Sequence, residues 1–173
     1  MATPTIPNGE EYFGIVTWTG NNSSPRAITG VGHQPDFIWI KDRVAANNHV
    51  LVDTSKGLST LLYSNATTAG VTSATQVSSS NTDGFTLGAT TYVNESGSSN
   101  TYVAWNWKAN GGSTTTNDAS STGIGTIDSV YQANTTSGFS IVQYTGTGSA
   151  GTIRHGLSVA PSLIIVKKIA NDT

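Results

Sequence analysis

A motif of 29 residues occurs twice in this chain, and its recurrence limits the possible folds more than any other feature. Residues 139–167 align without a gap on residues 13–41, at a shift of 126 positions. The two segments share ten residues, which are Phe13/Phe139, Ile15/Ile141, Val16/Val142, Thr19/Thr145, Gly20/Gly146, Ser23/Ser149, Gly30/Gly156, Pro35/Pro161, Ile38/Ile164 and Lys41/Lys167. A shift of this size is the signature of tandem domains, so the motif marks the start of two copies of one unit.

The motif itself has the pattern of β-structure. In residues 12–19, Val16 and Trp18 alternate with Phe13 and Ile15, which predicts a strand with two distinct faces. Gly, Asn and Pro then supply the backbone angles of a turn, and Pro35 precedes an apolar run at residues 37–40. That run predicts a strand covered on both faces.

The repeat and the composition divide the chain into four parts. We predict an extended N-terminal arm at residues 1–10, a first β-sandwich domain at 11–108, a Gly/Ser/Thr-rich linker at 109–126, and the beginning of a second, incomplete repeat at 127–173. The closing strand of the first domain is predicted at residues 101–108, with Trp105 and Trp107 among its largest buried side chains. We expect the polypeptide to continue past Thr173; alternatively, residues 139–173 pack on the first domain as added strands.

Composition favours an all-β fold. Thr, Ser, Asn and Gly account for 81 of 173 residues, and these types prefer turns and strands to helix interiors. The expected architecture is an antiparallel β-sandwich of the jelly-roll or concanavalin-like kind. With only 10% charged residues and a net charge of -2, nothing suggests a nucleic-acid partner. No stretch has the length and hydropathy of a membrane span or a signal peptide.

Candidate chemistry is sparse, and we expect no enzymatic activity, no cofactor and no metal site. His49, Asp53 and Ser55 are close in sequence, but their spacing does not supply the geometry of a catalytic triad. No two carboxylates are paired as glycoside hydrolysis requires. A calcium site made of loop oxygens is the remaining alternative, with the candidates Asp42, Asp83, Asn94 and Glu95. Cysteine is absent, which excludes disulfides and thiolate chemistry.

Aromatic residues are the more credible contact sites, because an exposed ring can stack on a sugar. The candidates for glycan or partner contact are Trp39, Tyr63, Tyr92, Tyr102 and Tyr131. The alternative is that most of these rings lie in the core. The N-terminal arm is either a loose terminus or a strap that docks on a neighbouring protein through Pro4, Ile6 and Pro7.

Several strings distributed over nearly the whole chain resemble the repeated domains of long virion proteins of tailed bacteriophages. They are TPTIPNGEEYF, FGIVTWTGN, VGHQPDFIWIK, NTDGFTLG and YVAWNWKA, and they look most like the tail-fibre or virion structural proteins of marine and cyanobacterial phages. The resemblance implies a concanavalin-like or jelly-roll sandwich in tandem copies, assembly on the virion and contact with the host surface. It implies no catalytic residue.

From these observations we expect a structural module of a phage tail fibre or tail appendage, which attaches to the tail and extends toward the host. It would assemble in the host cytoplasm, contact other tail proteins and form a homo-oligomer, with a trimer favoured. One alternative is a carbohydrate-binding module that recognises host surface glycans. Another is a capsid decoration protein with the same fold.

Overall fold

A computed structural model of the chain describes residues 8–73, 75–88, 90–95 and 100–169. Its strands are β1 (Phe13–Thr19), β2 (Arg26–Thr29), β3 (Phe37–Asp42), β4 (Val50–Asp53), β5 (Thr60–Tyr63), β6 (Val71–Thr72), β7 (Val77–Asn81), β8 (Gly84–Leu87), β9 (Thr101–Trp107), β10 (Thr115–Asn117), β11 (Ser129–Asn134) and β12 (Phe139–Tyr144). Two single helical turns, α1 (Thr91–Asn94) and α2 (Ala119–Thr122), and a 3-10 turn at Gly9–Glu11 complete the described elements.

Strand β9 lies between the two longer strands of the opening motif in the first copy. The largest sheet has the order β1-β9-β3-β4-β5-β6, and every pairing in it is antiparallel. Trp107 of β9 is opposite Phe13 of β1 on one side and Phe37 of β3 on the other. The strand that ends the first copy therefore joins the two strands of its opening motif, although the 58 residues 43–100 separate β3 from β9 in the chain.

A second sheet faces the first one across the core. It has the order β2-β8-β7 and is also antiparallel. Ile28 and Phe85 from this sheet share one buried cluster with Trp18, Ile38 and Ile40 from the six-stranded sheet. The prediction of an all-β chain with antiparallel sheets in a sandwich-like arrangement is confirmed. The jelly-roll topology stays a prediction.

The alternation along β9 is as expected, but the buried face is the opposite one. Tyr102, Ala104 and Asn106 are fully buried, whereas Trp105 and Trp107 lie on the outer face and are half-buried. The prediction that the two tryptophans fill the core was wrong. Tyr102 takes the inner position because its ring stacks on the indole of Trp18, with the centroids 5.5 Å apart.

The residues predicted as a linker form regular structure. Strand β10 and helix α2 lie within residues 109–126, and β10 pairs with β11, which pairs with β12 in a separate three-stranded antiparallel sheet. Helix α2 is capped by Asp118, whose carboxylate accepts hydrogen bonds from the amides of Ser120 and Ser121. This segment is therefore an ordered part of the molecule.

Strand β12 is the structural counterpart of β1, but the counterpart of β3 forms no strand. Residues 163–167 align with Phe37–Lys41 and lie outside every strand of the described residues. Ile164 is 70% exposed and Val166 71% exposed, whereas the equivalent Ile38 and Ile40 are 0% exposed. Among the described residues, no helix has the length and apolar character needed to span a membrane.

Candidate functional site

A network of buried hydrogen bonds lies at the junction between the two copies. Its first component is Asp36, which precedes β3 and is 1% exposed. One carboxylate oxygen, Oδ2, accepts hydrogen bonds from the amides of Ala109 (2.7 Å) and Gly111 (3.0 Å). The other, Oδ1, accepts one from the hydroxyl of Thr54 (2.8 Å). A carboxylate of the first copy thus holds the backbone that leads to the second.

Gln132 of β11 supplies the complementary half of the junction. Its Oε1 accepts hydrogen bonds from the amides of Asn110 (3.2 Å) and Gly112 (3.1 Å). Its Nε2 donates to the hydroxyls of Thr54 (2.8 Å) and Ser55 (2.6 Å), which follow β4 of the first copy. The side chain is 1% exposed, so its bonds form where water does not compete.

Residues 109–112 therefore present four consecutive amides that alternate between two side-chain acceptors. Ala109 and Gly111 donate to Asp36, and Asn110 and Gly112 donate to Gln132. Such a turn requires the left-handed backbone that glycine adopts without steric cost, and Gly111 and Gly112 have φ angles of 62° and 80°. Every amide of the turn is satisfied, which fixes its conformation.

An aromatic cluster forms the apolar side of the same junction. Phe139 of β12 stacks on Trp107 with the centroids 5.9 Å apart, and its ring lies 6.1 Å from that of Phe37. Phe13 completes the cluster at 5.0 Å from Trp107. A ring of the second copy thus covers part of the outer sheet face of the first, and the side chain of Asn134 donates to the carbonyl of Ala109 beside it (3.2 Å).

Two of the predicted glycan contacts are buried. Tyr102 is 0% exposed, and its hydroxyl accepts a hydrogen bond from the amide of Glu95 (3.1 Å). Tyr131 is 8% exposed, with the guanidinium of Arg154 over its ring at 5.7 Å from the centroid. Tyr102 and Tyr131 are therefore not glycan contacts, because neither ring presents a face on which a sugar could stack.

The other predicted aromatics keep some exposed area. Tyr63 and Tyr92 are adjacent, with centroids 6.2 Å apart, and both also pack against the core of the first copy. Burial raises the pKa of the Tyr63 hydroxyl. Trp39 lies beside Trp105 on the outer sheet face at 5.9 Å, and its indole Nε1 is buried without a hydrogen-bond partner. The arm residues Pro4, Ile6 and Pro7 lie outside the described residues.

The side chains considered for catalysis each bond to a partner outside the set. Nδ1 of His49 contacts the hydroxyl of Ser64 (3.3 Å). Asp53 instead accepts from the amides of Ser55 (2.9 Å) and Lys56 (3.0 Å) and forms an ion pair with the Lys56 ammonium. The structure does not bring His49, Asp53 and Ser55 together as a proton relay.

The loop carboxylates considered for calcium are engaged with backbone amides. Asp42 accepts from Val44 and Ala45, both at 2.9 Å. Asp83 accepts from Gly30 (3.0 Å) and Gly32 (2.7 Å), and these backbone bonds lower the pKa of its carboxyl. In the part of the chain that the structure describes, no three His, Cys, Asp or Glu side chains are grouped as metal ligands.

Sequence reasoning did not identify Asp36 or Gln132 as a pair. They are 96 positions apart, and neither belongs to a recognisable motif. The one available signal was the Ala-Asn-Gly-Gly run at residues 109–112, since paired glycines often mark a turn whose amides need acceptors.

A protein-family model matches nearly the whole chain. The family described as a domain of unknown function, DUF7483, matches residues 8–173, so the chain belongs to that family. No curated protein and no solved structure matches the chain.

Proposed function

We propose that this DUF7483 chain is a structural module of a phage tail fibre or tail appendage, in which sandwich units are held at a fixed geometry along the polypeptide. The observation that carries the proposal is the junction, where Asp36 and Gln132 together hold the amides of residues 109–112. A flexible tether between independent binding domains needs no such buried bonds. A load-bearing spacer does, because a loose joint would not keep successive units in line.

The apolar half of the junction supports the same function. Phe139 stacks on Trp107 and approaches Phe37, so a bend at the joint would expose aromatic surface to water. Polar and apolar contacts thus oppose the same motion. The phage assignment itself rests on the resemblance of the sequence strings to virion proteins and on the sparse charge and absent cysteine.

The location of the protein tests this assignment. Antibodies against the chain would be applied to particles of the phage that encodes it and visualised by immunoelectron microscopy. We expect label on the tail. Label on the head would support the decoration-protein alternative, and unlabelled particles that contain no such protein by mass spectrometry would overturn the proposal.

Homo-oligomerisation, with a trimer favoured, is part of the proposal because appendages of this kind are built from repeated subunits around an axis. Sedimentation velocity of the full chain is the direct measurement. A species of three chains at micromolar concentration is the expected result, and a monomer alone would remove the trimer from the proposal.

A second candidate function is recognition of host surface glycans. It is favoured by the half-exposed pair of Tyr63 and Tyr92, which lie close enough for one sugar ring to contact both. A glycan array with the full chain and with its Tyr92→Ala variant separates the functions. Saturable binding that the variant loses would support the glycan module, whereas a purely structural module shows no competable binding.

A further inference from the structure

A pocket of about 440 Å³ lies on the apolar side of the junction, next to the aromatic cluster. Its volume is within the range of about 300 to 1,000 Å³ that is typical of small-molecule sites. Both copies contribute to the lining, so the pocket exists only where they meet. The first copy and the turn before it supply Asn8, Glu10, Phe13 and Trp107, and the second copy supplies Ser137 and Phe139.

The wall from the first copy is held in place by hydrogen bonds. The side-chain oxygen of Asn8 accepts one from the amide of Glu10 (3.2 Å). The carbonyl of Glu10 lies 2.8 Å from Nδ1 of His33, and the carbonyl of Tyr12 accepts a bond from the amide of Lys108 (2.9 Å). The 3-10 turn is thus bonded to other parts of the first copy, and the Glu10 side chain starts from a fixed backbone.

The wall from the second copy is also well defined. Oδ1 of Asn134 accepts hydrogen bonds from the amides of Thr136 and Ser137, both at 3.0 Å, in the turn between β11 and β12. Phe139, two residues later, stacks on Trp107. A ligand would therefore enter a preformed pocket, and little free energy would be lost in ordering its walls.

The lining combines an aromatic surface with polar groups at its edge. Phe13 is 38% exposed, although its ring contacts that of Trp107. The carboxylate of Glu10 accepts hydrogen bonds, whereas the amide of Asn8 and the hydroxyl of Ser137 both donate and accept them. A sugar ring has the complementary surface, because its C–H groups form an apolar face and its hydroxyl groups point outward around the ring.

An organic cation fits the same pocket less well. Recognition of a cation by aromatic side chains needs ring faces directed at the charge. The ring of Trp107 already contacts three others, at centroid distances of 5.0 to 5.9 Å. Phe13 is then the exposed platform, which suits a single flat sugar ring better than a charge that needs several faces.

We infer that this pocket binds a neutral saccharide, with one sugar ring on Phe13 and hydroxyl groups bonded to Glu10 and Ser137. Neutral sugars are favoured over acidic ones because Glu10 and Glu11 place two carboxylates in and beside the pocket. Since the ligand contacts both copies, its binding also holds them together. The inference goes beyond the proposed function, because it assigns a ligand to the junction itself and requires neither a phage origin nor the tyrosine pair considered above.

Ligand-observed NMR with the full chain tests the binding. The probes are four neutral disaccharides that differ in linkage and in hydroxyl configuration, namely lactose, maltose, cellobiose and diacetylchitobiose. We expect saturable binding of at least one of them with a Kd of about 1 mM, because one ring stacks and a few hydrogen bonds form. Failure of all four to bind would overturn the inference.

Two matched variants assign the binding to the pocket. Glu10 and Glu11 are consecutive, exposed residues of the 3-10 turn, but Glu11 does not line the pocket. We expect Glu10→Gln to raise the Kd by at least about fivefold, because hydrogen bonds to a carboxylate are stronger than those to an amide. Glu11→Gln should raise it by less than about twofold. Equal effects, or binding that only Tyr92→Ala removes, would place the sugar elsewhere and contradict the inference.

Hydrogen exchange checks whether the ligand holds the two copies together. The amides of Ala109 and Gly111 lie at the junction and bond to Asp36. The disaccharide that binds best, at about ten times its Kd, should slow their exchange by roughly tenfold, because opening of the junction removes the site. Saturable binding that leaves this exchange unchanged would show that the sugar does not bridge the copies.

Discussion

Strand β3 and residues 163–167 occupy equivalent positions in the two copies of the motif, yet one lies in the core and the other in solvent. Ile38 is 0% exposed and Ile164 is 70% exposed, although the residue is the same and the neighbouring residues are similarly apolar. The starts of the two copies differ much less, since β1 and β12 are both paired strands of similar length. Burial of β3 therefore depends on its pairing with β9, a strand from much later in the chain.

The largest expected contrast is between Ile38→Ala and Ile164→Ala. We expect the first substitution to lower the free energy of unfolding by about 4 kcal/mol, because it leaves a cavity in a core with no solvent access. The second should change it by less than about 0.5 kcal/mol, because Ile164 buries little surface.

Urea denaturation of both variants measures this contrast. A cost above about 2 kcal/mol for Ile164→Ala would show that the second segment is packed as tightly as the first. The comparison would then fail at its main point.

The next contrast concerns the residue just before each of these segments, which is Asp36 in the first copy and Ser162 in the second. Asp36→Ala removes the acceptor of two amides and one hydroxyl, and we expect a loss of about 3 kcal/mol. Ser162→Ala is the matched control and should be nearly neutral, because Ser162 is exposed.

Amide hydrogen exchange shows whether the loss occurs at the junction. The amides of Ala109 and Gly111 should exchange faster in Asp36→Ala, while those of the β7–β8 hairpin keep their protection. Unchanged exchange at both amides would mean that Asp36 does not hold the junction.

Part of the fold could be predicted from the sequence. Periodicity and turn residues correctly predicted the all-β class and the alternation of β1 and β9. They could not predict which face of β9 is buried, because Tyr102 and Trp105 are both large and apolar enough for a core. The choice depends on the stack with Trp18, a contact between residues 84 positions apart.

The junction could not be predicted either, because it also depends on contacts between residues that are far apart in sequence. The composition of residues 109–112 is typical of a flexible linker, and it becomes ordered only because acceptors arrive from Asp36 and Gln132. Of the five aromatic candidates, the sequence could not separate the buried Tyr102 and Tyr131 from the half-exposed Tyr63 and Tyr92. Tyrosine is intermediate in its tendency to be buried, so residue type alone does not separate these two pairs.

A smaller contrast separates the turn glycines that the two copies of the motif share, Gly30 and Gly156. Both have positive φ angles, 87° and 77°, so any substitution costs about 1 kcal/mol of backbone strain. A methyl group at Gly156 would also collide with the ring of Tyr131, whereas nothing lies near a methyl group at Gly30. We expect Gly156→Ala to lower the free energy of unfolding by about 2 kcal/mol and Gly30→Ala by about 1 kcal/mol.

Thermal denaturation of the two variants compares their stabilities. Equal melting temperatures would indicate that residues 153–157 do not pack against β11. In that case the second copy would be held by β12 and the junction alone.

The smallest expected effect is a pH dependence at the turn around Gly30 and Gly32 of the first copy. The amides of Gly30 and Gly32 lower the pKa of Asp83, so this carboxylate contributes stability above the ordinary Asp pKa and loses it as pH falls through the lowered one. NMR should show the Gly30 and Gly32 amide shifts moving together below the ordinary Asp range. The Gly156 amide, whose turn lacks this carboxylate, is the internal reference, and a parallel shift there would argue against the assignment.

Hydrogen exchange of the full chain compares the two segments most directly. Our account predicts that the amides of residues 38–41 exchange only through global unfolding, because β3 is paired along both edges. The amides of residues 164–167 should exchange at nearly the rate of an unstructured peptide. Comparable protection of both segments would contradict the account, because residues 164–167 would then be hydrogen-bonded as β3 is.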